Sequence, residues 1–292
     1  MSFRKHFASR TDSDRLRNMA ATSPPVVLTI AGFDPSAGAG VMADIKTIAA
    51  HGCYGVACVT ALTVQSTSGV RRVDPVDVSL VQETLEELAS DFELAALHIG
   101  MLATADLVGG IADFLTRRRL KNIVLDPVLR SSSGAELLEE EGVASLVERL
   151  FPLAAVITPN VDEASTLTGL PVRNPEEMRA AAEVLHSMGA AAVVVTGGHL
   201  DPAADLLSVH DSGGIGQRVF ETEHQQSRST HGTGCAFATS LACQLALGRE
   251  LLEAVPLAKE YVAEAIAHAY PLGRGIGPVH HLYGMSQKMG GG

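Results

Sequence analysis

Residues 26–40 read VVLTIAGFDPSAGAG. Val26–Ala31 is a nearly unbroken apolar run, the length of one strand buried on both faces. The segment after it, Ala31 to Gly40, is rich in glycine and leads into a helix expected over Ala39–Ala50. The same strand-then-helix unit recurs along the chain. Strands are expected at Val26–Ala31, Gly55–Leu62, Ala95–Ile99, Asn122–Asp126, Ala154–Ile157 and Ala191–Thr196. Between them lie helices at Ala39–Ala50, Val78–Ser90, Ala103–Arg119, Val143–Leu150 and Pro175–Met188. Apolar strands that alternate with helices make a parallel sheet covered on both faces, so the fold class is α/β and doubly wound. Residues 205–221 break that rhythm: Leu206–His210 and Gln217–Phe220, separated by Ser212-Gly213-Gly214, predict a hairpin. Two further helices are expected at Gly234–Leu247 and Leu251–Tyr270.

The composition sets limits on function. With 292 residues, 46% of them hydrophobic and 19% charged, the chain can bury a core and is neither a disordered nor a collagen-like polymer. A net charge of −11 argues against nucleic acid or an anionic membrane as partner, because both call for a basic surface. The longest apolar run, Ala190–Val195, is far short of the ~20 residues that span a bilayer. Four cysteines (53, 58, 235 and 243) form no disulfide framework and no paired zinc spacing, which suits the reducing cytoplasm. Residues 1–25 read as a basic extension, 26–285 as one domain and 286–292 as a short tail.

Ligands of open parallel sheets bind beyond the carboxyl ends of the strands, which directs attention to four segments. In the first, residues 31–40, Gly38-x-Gly40-x-x-Ala43 fits a relaxed dinucleotide fingerprint. That fingerprint needs an acid at the end of the second strand to hold a ribose, and this strand ends at Thr63-Val64-Gln65, so a substrate loop is the better reading. The second, Thr230-His231-Gly232-Thr233-Gly234-Cys235, opens a helix of small residues. It reads either as an anion site made of backbone N–H groups or as a helix cap with a small buried cysteine. The field at the start of that helix predicts a lowered thiol pKa for Cys235. In the third, Thr158 to Glu163, Asn160 and Glu163 lie three apart, so they either hold Mg²⁺ through water or cap a helix. The fourth is Asp126-Pro127-Val128, an acid at a strand end. His280-His281 lacks a partner at metal-ligand spacing, and Cys53, Cys58 and Met101 read as core.

In combination and in order, these segments resemble the ribokinase-like superfamily, and within it the hydroxymethylpyrimidine/phosphomethylpyrimidine kinases of thiamine biosynthesis. The residues that carry the resemblance are AGFDPSAGAG (31–40), ADIKT (43–47), YGVACVTALTVQST (54–67), IGML (99–102), VLDPV (124–128), ITPNVDE (157–163), GGH (197–199), STHGTGC (229–235) and GIGPVHH (275–281). It implies a three-layer αβα fold, ATP and Mg²⁺ as cofactors, a small pyrimidine as substrate and a homodimer. The implied reaction is phosphorylation of 4-amino-5-hydroxymethyl-2-methylpyrimidine and then of its monophosphate. By resemblance the pyrimidine pocket falls on the backbone of Ala39 and on Asp44, Gln65, Met101 and Val128. Cys235 falls on the catalytic base, and Gly232, Thr233 and Gly234 form the anion hole. Asp126, Asn160, Glu163, Thr196 and Lys259 serve ATP, with Asp126 and Glu163 at the metal. The chain departs from the family pattern at Thr196, where a lysine is usual, and at Ala37, Ser66 and Ser229. Pyridoxal kinase of vitamin B6 salvage and a non-catalytic pyrimidine sensor are the competing readings.

Overall fold

The computed structural model describes residues 23–198, 200, 202–211, 213–222 and 227–285. The expected tail and residues 1–22 of the expected extension lie outside the described residues, as do His199 and the hairpin residue Ser212. In chain order the elements are β1 (Val26–Phe33), α1 (Gly40–Ala50), β2 (Tyr54–Ser66), β3 (Gly69–Pro75), α2 (Val78–Asp91) and β4 (Leu94–Ile99). There follow α3 (Ala105–Arg118), β5 (Ile123–Leu125), α4 (Glu140–Arg149), β6 (Val156–Ile157), α5 (Val161–Thr168), α6 (Pro175–Ser187) and β7 (Ala192–Gly197). The chain continues through β8 (Ala203–Asp211), β9 (Gly214–Thr222), α7 (Thr233–Ala246) and α8 (Leu251–Ala267).

The strands form one sheet in the order β3-β2-β1-β4-β5-β6-β7-β8-β9. From β2 to β7 neighbouring strands run parallel, while β3 at one edge and β8–β9 at the other are antiparallel. Strand side chains alternate between faces, and the sequence uses that period to make two cores. Leu28, Ile30, Leu97, Ile99, Leu125, Val193 and Val195 face Val81 and Leu85 of α2, Ile111 and Phe114 of α3, and Met178 and Leu185 of α6. Val27, Ala96, Val124, Val156 and Val194 face Ile48 of α1, Phe237 and Leu241 of α7, and Val255 of α8. The result is the three-layer αβα architecture with a mostly parallel sheet, as expected.

Two differences have clear causes. β2 continues to Ser66 and turns into β3, which sequence patterning does not show. Edge strand β3 carries Arg71, Arg72 and Asp74 and has no apolar run to announce it. Helix α4 starts at Glu140 rather than Val143, since Glu140 and Glu141 suit the positive end of a helix although they carry no apolar period.

On the α1/α7 side, two of the alternating positions are polar. Thr29 of β1 and His98 of β4 are fully buried, and both meet Asp44 of α1. Thr29 Oγ1 donates to Asp44 Oδ2 at 2.6 Å, Thr239 Oγ1 of α7 donates to Oδ1 at 2.8 Å, and His98 Nδ1 lies 3.2 Å from Oδ2. Burial works against a charged imidazole, but the Asp44 carboxylate beside it outweighs that and raises the pKa of His98. One carboxylate thus joins two strands and two helices. Replacing Thr239 with valine keeps the shape and removes one donor from Asp44. We expect Thr239→Val to lower unfolding stability by about 1–3 kcal/mol, the cost of a buried group left short of a partner, as read by urea denaturation.

Candidate active site

β1 and β4 are neighbours although the chain leaves β1 first for β2, so the strand order reverses beside β1 and opens a crevice at the carboxyl ends of the strands. The loop after β1 folds around Asp34. Its Oδ1 accepts the backbone N–H of Ser36 (2.8 Å) and the Ser36 hydroxyl (2.7 Å), while Oδ2 accepts the N–H groups of Gly38 (3.2 Å) and Ala39 (3.0 Å). Ala37 is left-handed at φ 58°, and Lys46 of α1 fixes it by donating to its carbonyl at 2.7 Å. Gly40 has φ +56°, and a Cβ there would overlap the Gly32 carbonyl, so only glycine turns the loop into α1.

The turn before α7 docks onto that loop. His231 Nε2 donates to Asp34 Oδ2 at 2.9 Å, Nδ1 meets Ser132 Oγ at 3.1 Å, and the Gln65 amide lies 3.3 Å from Nε2. Burial raises the pKa of Asp34, but the hydrogen bonds from His231 and Ser36 outweigh it and leave the carboxyl below its ordinary range. Gly232, at φ 82°, is the N-cap of α7, and a Cβ on it would overlap the Gly38 carbonyl. The starts of α1 and α7 are therefore in backbone contact. The C-terminal segment clasps the turn: Gly277 N–H donates to Arg228 O at 3.1 Å, and His231 N–H donates to Gly277 O at 3.0 Å. Further along, His281 is buried with Nδ1 3.2 Å from the Thr47 hydroxyl of α1.

Beside the start of α7 lie two buried carboxylates. A Cβ on Gly234 would sit 3.8 Å from Asp126 Oδ2, and Asp126 Oδ1 accepts from Thr158 Oγ1 at 3.4 Å. Burial, opposed in part by the His98 imidazole and reinforced by the nearby Asp44, pushes Asp126 up to about 6. Burial and the charge of Asp126 push Glu163 up to about 8. Cys235 is held well above the ordinary thiol range by burial and by the charges of Asp44 and Asp126; the Gly40 N–H at its sulfur opposes them without prevailing. This corrects the sequence expectation of a lowered thiol pKa, because burial and the negative charges of Asp44, Asp126 and Glu163, all distant in the chain, disfavour the thiolate.

Asp126 and Glu163 form a pair of buried acids whose pKa values stay raised although the His98 imidazole acts on Asp126. Mg²⁺ commonly takes one or two carboxylates and completes its shell with water and phosphate oxygens. Among the described residues no three His, Cys, Asp or Glu side chains converge on one point, so a cation here would rest on these two carboxylates and on oxygens of the nucleotide. The donor chemistry fits Mg²⁺.

A family model described as phosphomethylpyrimidine kinase matches residues 34–280. The chain belongs to the phosphomethylpyrimidine kinase family. It is 39% identical over 257 residues to the hydroxymethylpyrimidine/phosphomethylpyrimidine kinase of Haemophilus influenzae, covering 87% of this chain and 96% of that protein. Over 256 residues it is 44% identical to the thiamine biosynthesis bifunctional protein ThiED of Geobacter sulfurreducens, covering 88% of this chain. There the chain spans about half of the relative's length, 52%. Among solved structures it is similar to Bacillus subtilis pyridoxal kinase in an ADP complex, with a TM-score of 0.81, 35% identity, and coverage of 90% of this chain and all of that one.

Measured against what the resemblance to the phosphomethylpyrimidine kinases implied, the structure gathers some residues and diverts others. Gly232, Thr233, Gly234 and Cys235 open α7 beside Asp126, with Glu163 next to Asp126. Met101 and Val128 share a small apolar patch with Ala61, Ala103 and Val73. Gln65 lies beside His231 on a cavity of about 20 Å³, room for one water, lined also by Thr67, Ser131, Ser132 and Ser133. Asp44 has a different place from the expected ring contact: it is wholly buried, and its oxygens face Thr29, Thr239 and His98. The N–H of Ala39 is likewise taken by Asp34. Asn160 is an N-cap, its Oδ1 accepting from Asp162 and Glu163 N–H at 2.9 Å each while Glu163 Oε2 accepts the Asn160 N–H at 2.9 Å. Thr196, next to last in β7, bridges to Asn160, and Lys259 is paired with Asp205. Sequence reading missed Asp34, His231 and Ser132 as partners, since they are far apart in the chain and match no spacing rule.

The raised values for Asp126 and Glu163 give stability a sign. Between the ordinary carboxylate range and about pH 8 the folded protein holds protons that the unfolded chain has lost, so this pair makes stability fall as pH rises. Glutamine at 163 keeps the capping geometry and removes the charge. We expect Glu163→Gln to match the parent at pH 4.5 and to exceed it at pH 8.5 by on the order of 2 kcal/mol, as read by denaturant unfolding at both pH values without divalent cations.

Proposed function

We propose that this chain is an ATP-dependent kinase that phosphorylates 4-amino-5-hydroxymethyl-2-methylpyrimidine and then its monophosphate, in thiamine biosynthesis. The observation that carries this reading is the opening of α7 at Gly232 to Gly234 against two buried acids, Asp126 and Glu163, with Cys235 one residue further along. The first N–H groups of a helix lack partners within it and, with the positive end of its dipole, suit a phosphoryl group. Mg²⁺ held by Asp126 and Glu163 would neutralise the phosphate charge that these acids would otherwise repel.

The chain's own residues supply the rest. Met101 and Val128 offer an apolar surface to a flat ring, and Gln65 offers an amide to its polar edge. Asp34 and His231 keep the loop before α1 against the anion-binding turn. Cys235 holds its proton in the resting site, because burial and the charges of Asp44 and Asp126 disfavour the thiolate. With the charge of Asp126 compensated by the bound nucleotide complex, the thiol proton can leave to water through the partly open site. The resulting thiolate takes the proton of the substrate alcohol as the alcohol oxygen accepts the γ-phosphoryl group and ADP departs. A phosphate acceptor is already ionised near neutral pH and does not need that base.

The likeness to Bacillus subtilis pyridoxal kinase makes pyridoxal the second candidate substrate. Purified protein with Mg-ATP is tested against hydroxymethylpyrimidine, its monophosphate and pyridoxal, following ADP and product masses. ADP with both pyrimidines is the expected result, ADP with pyridoxal alone transfers the assignment to vitamin B6, and a protein that binds the pyrimidine without consuming ATP is a sensor. In single-turnover assays, Cys235→Ala is expected to slow the alcohol step by about 10²-fold or more, the size of a general-base contribution, and the phosphate step much less. Equal losses on both substrates remove the base role.

A further inference from the structure

Lys259 is the one lysine or arginine among the described residues that is buried, with 9% of its surface exposed. It reaches from α8 to the sheet, where its Nζ lies 2.7 Å from Asp205 Oδ2. The other oxygen of Asp205 accepts the N–H of Gly197 at 2.9 Å. Asp205 is the cross-strand partner of Thr196 on β7, and Thr196 in turn bridges to Asn160, which is hydrogen-bonded to Glu163. The ion pair therefore stands at the carboxyl end of β7, one step along the strand ends from the paired acids.

A buried ion pair is a weak source of stability, because the desolvation of two charges offsets most of their attraction and apolar side chains fill such a gap as well. Its place at the strand ends calls for another reason. The site already holds Asp44, Asp126 and Glu163, so an incoming polyphosphate needs cations from the protein. Position 196, next to last in β7, offers only a hydroxyl. An ammonium has three N–H donors, and among the described residues Asp205 alone takes one.

We propose that Asp205 is a positioning residue for the nucleotide: it holds the Lys259 ammonium at the end of β7, leaving its other donors for the ATP phosphates, and so supplies the positive charge that Thr196 lacks. This inference rests on the kinase reading above. Without the carboxylate, a buried ammonium either loses its proton or swings toward water, and in both cases it leaves the place where the phosphates bind. Asn at 205 keeps an oxygen for the Gly197 N–H while removing the charge.

The test compares Asp205→Asn, Asp205→Glu, Lys259→Met and the double variant Lys259→Met/Thr196→Lys with the parent. The readouts are steady-state kinetics and the rise in Tm on adding Mg-ADP. We expect Asp205→Asn to raise KM for ATP about tenfold, the loss of roughly one charge-assisted contact. KM for the pyrimidine and kcat should change by less than about threefold. The Mg-ADP rise in Tm should shrink, Asp205→Glu should recover most of both effects, and Thr196→Lys should restore part of the rise lost in Lys259→Met. An Asp205→Asn protein of lower Tm that keeps its KM for ATP and its Mg-ADP response overturns the proposal, since the pair is then only structural. Should that variant not fold, Lys259→Met and its Thr196→Lys rescue decide the matter: an unchanged Mg-ADP response in Lys259→Met overturns the proposal. A parent protein that responds to Mg-ADP but phosphorylates no pyrimidine overturns the kinase reading, while the Tm comparison still decides the role of Asp205.

Discussion

A carboxylate with no access to water must find all of its partners inside the protein, and Asp44 finds them on three other elements. Thr29 of β1, His98 of β4 and Thr239 of α7 converge on it. Because Asp44 itself belongs to α1, satisfying this one group brings the starts of α1 and α7 to the reversal point of the sheet. The contact between Gly232 and the Gly38 carbonyl completes that approach with backbone alone. The small residues of α7, Ala236, Ala238, Ser240 and Ala242, are all buried and let the helix lie close to the strands.

The two ends of the crevice treat their acids differently. Asp34 is surrounded by N–H and O–H donors and by His231, so its negative charge is stabilised. Asp126 and Glu163 are buried near each other, and although the His98 imidazole acts on Asp126, burial prevails and their protons are held more tightly. A fold that only sought stability would place apolar groups there. Carboxylates kept in that condition are a common mark of a functional site, where charge balance is completed by what binds. Cys235 shares this electrostatic surrounding, and the proton affinity of its sulfur depends on the charge state of acids contributed by other elements.

Much of this was legible in the chain. The apolar runs of β1, β4 and β7 and the helices α1, α2, α6 and α7 follow from period and glycine placement, and the hairpin β8–β9 from its interrupted rhythm. The turn at Gly232 and the acids Asp126 and Glu163 stand out by position at helix and strand ends. Edge strand β3 was not legible, because a strand exposed on one side and rich in arginine has no hydrophobic signature. Asn160 was ambiguous by nature: the residues that begin a helix and those that hold a cation are the same types at the same spacing, and both of its acceptor contacts go to the helix.

The amino-acid sequence by itself determined the order and kind of the elements, the two-faced sheet and the segments that meet at its carboxyl edge, because these depend on local periodicity and on backbone freedom at single residues. Only the tertiary structure decided how charges are shared. Asp44 turned inward to four-element hydrogen bonding, Lys259 was matched with Asp205 fifty-four positions away, and the Cys235 thiol was raised rather than lowered. Hydrogen bonds and Coulomb forces act through space between residues that the chain separates, so their balance exists only once the sheet has brought those residues together.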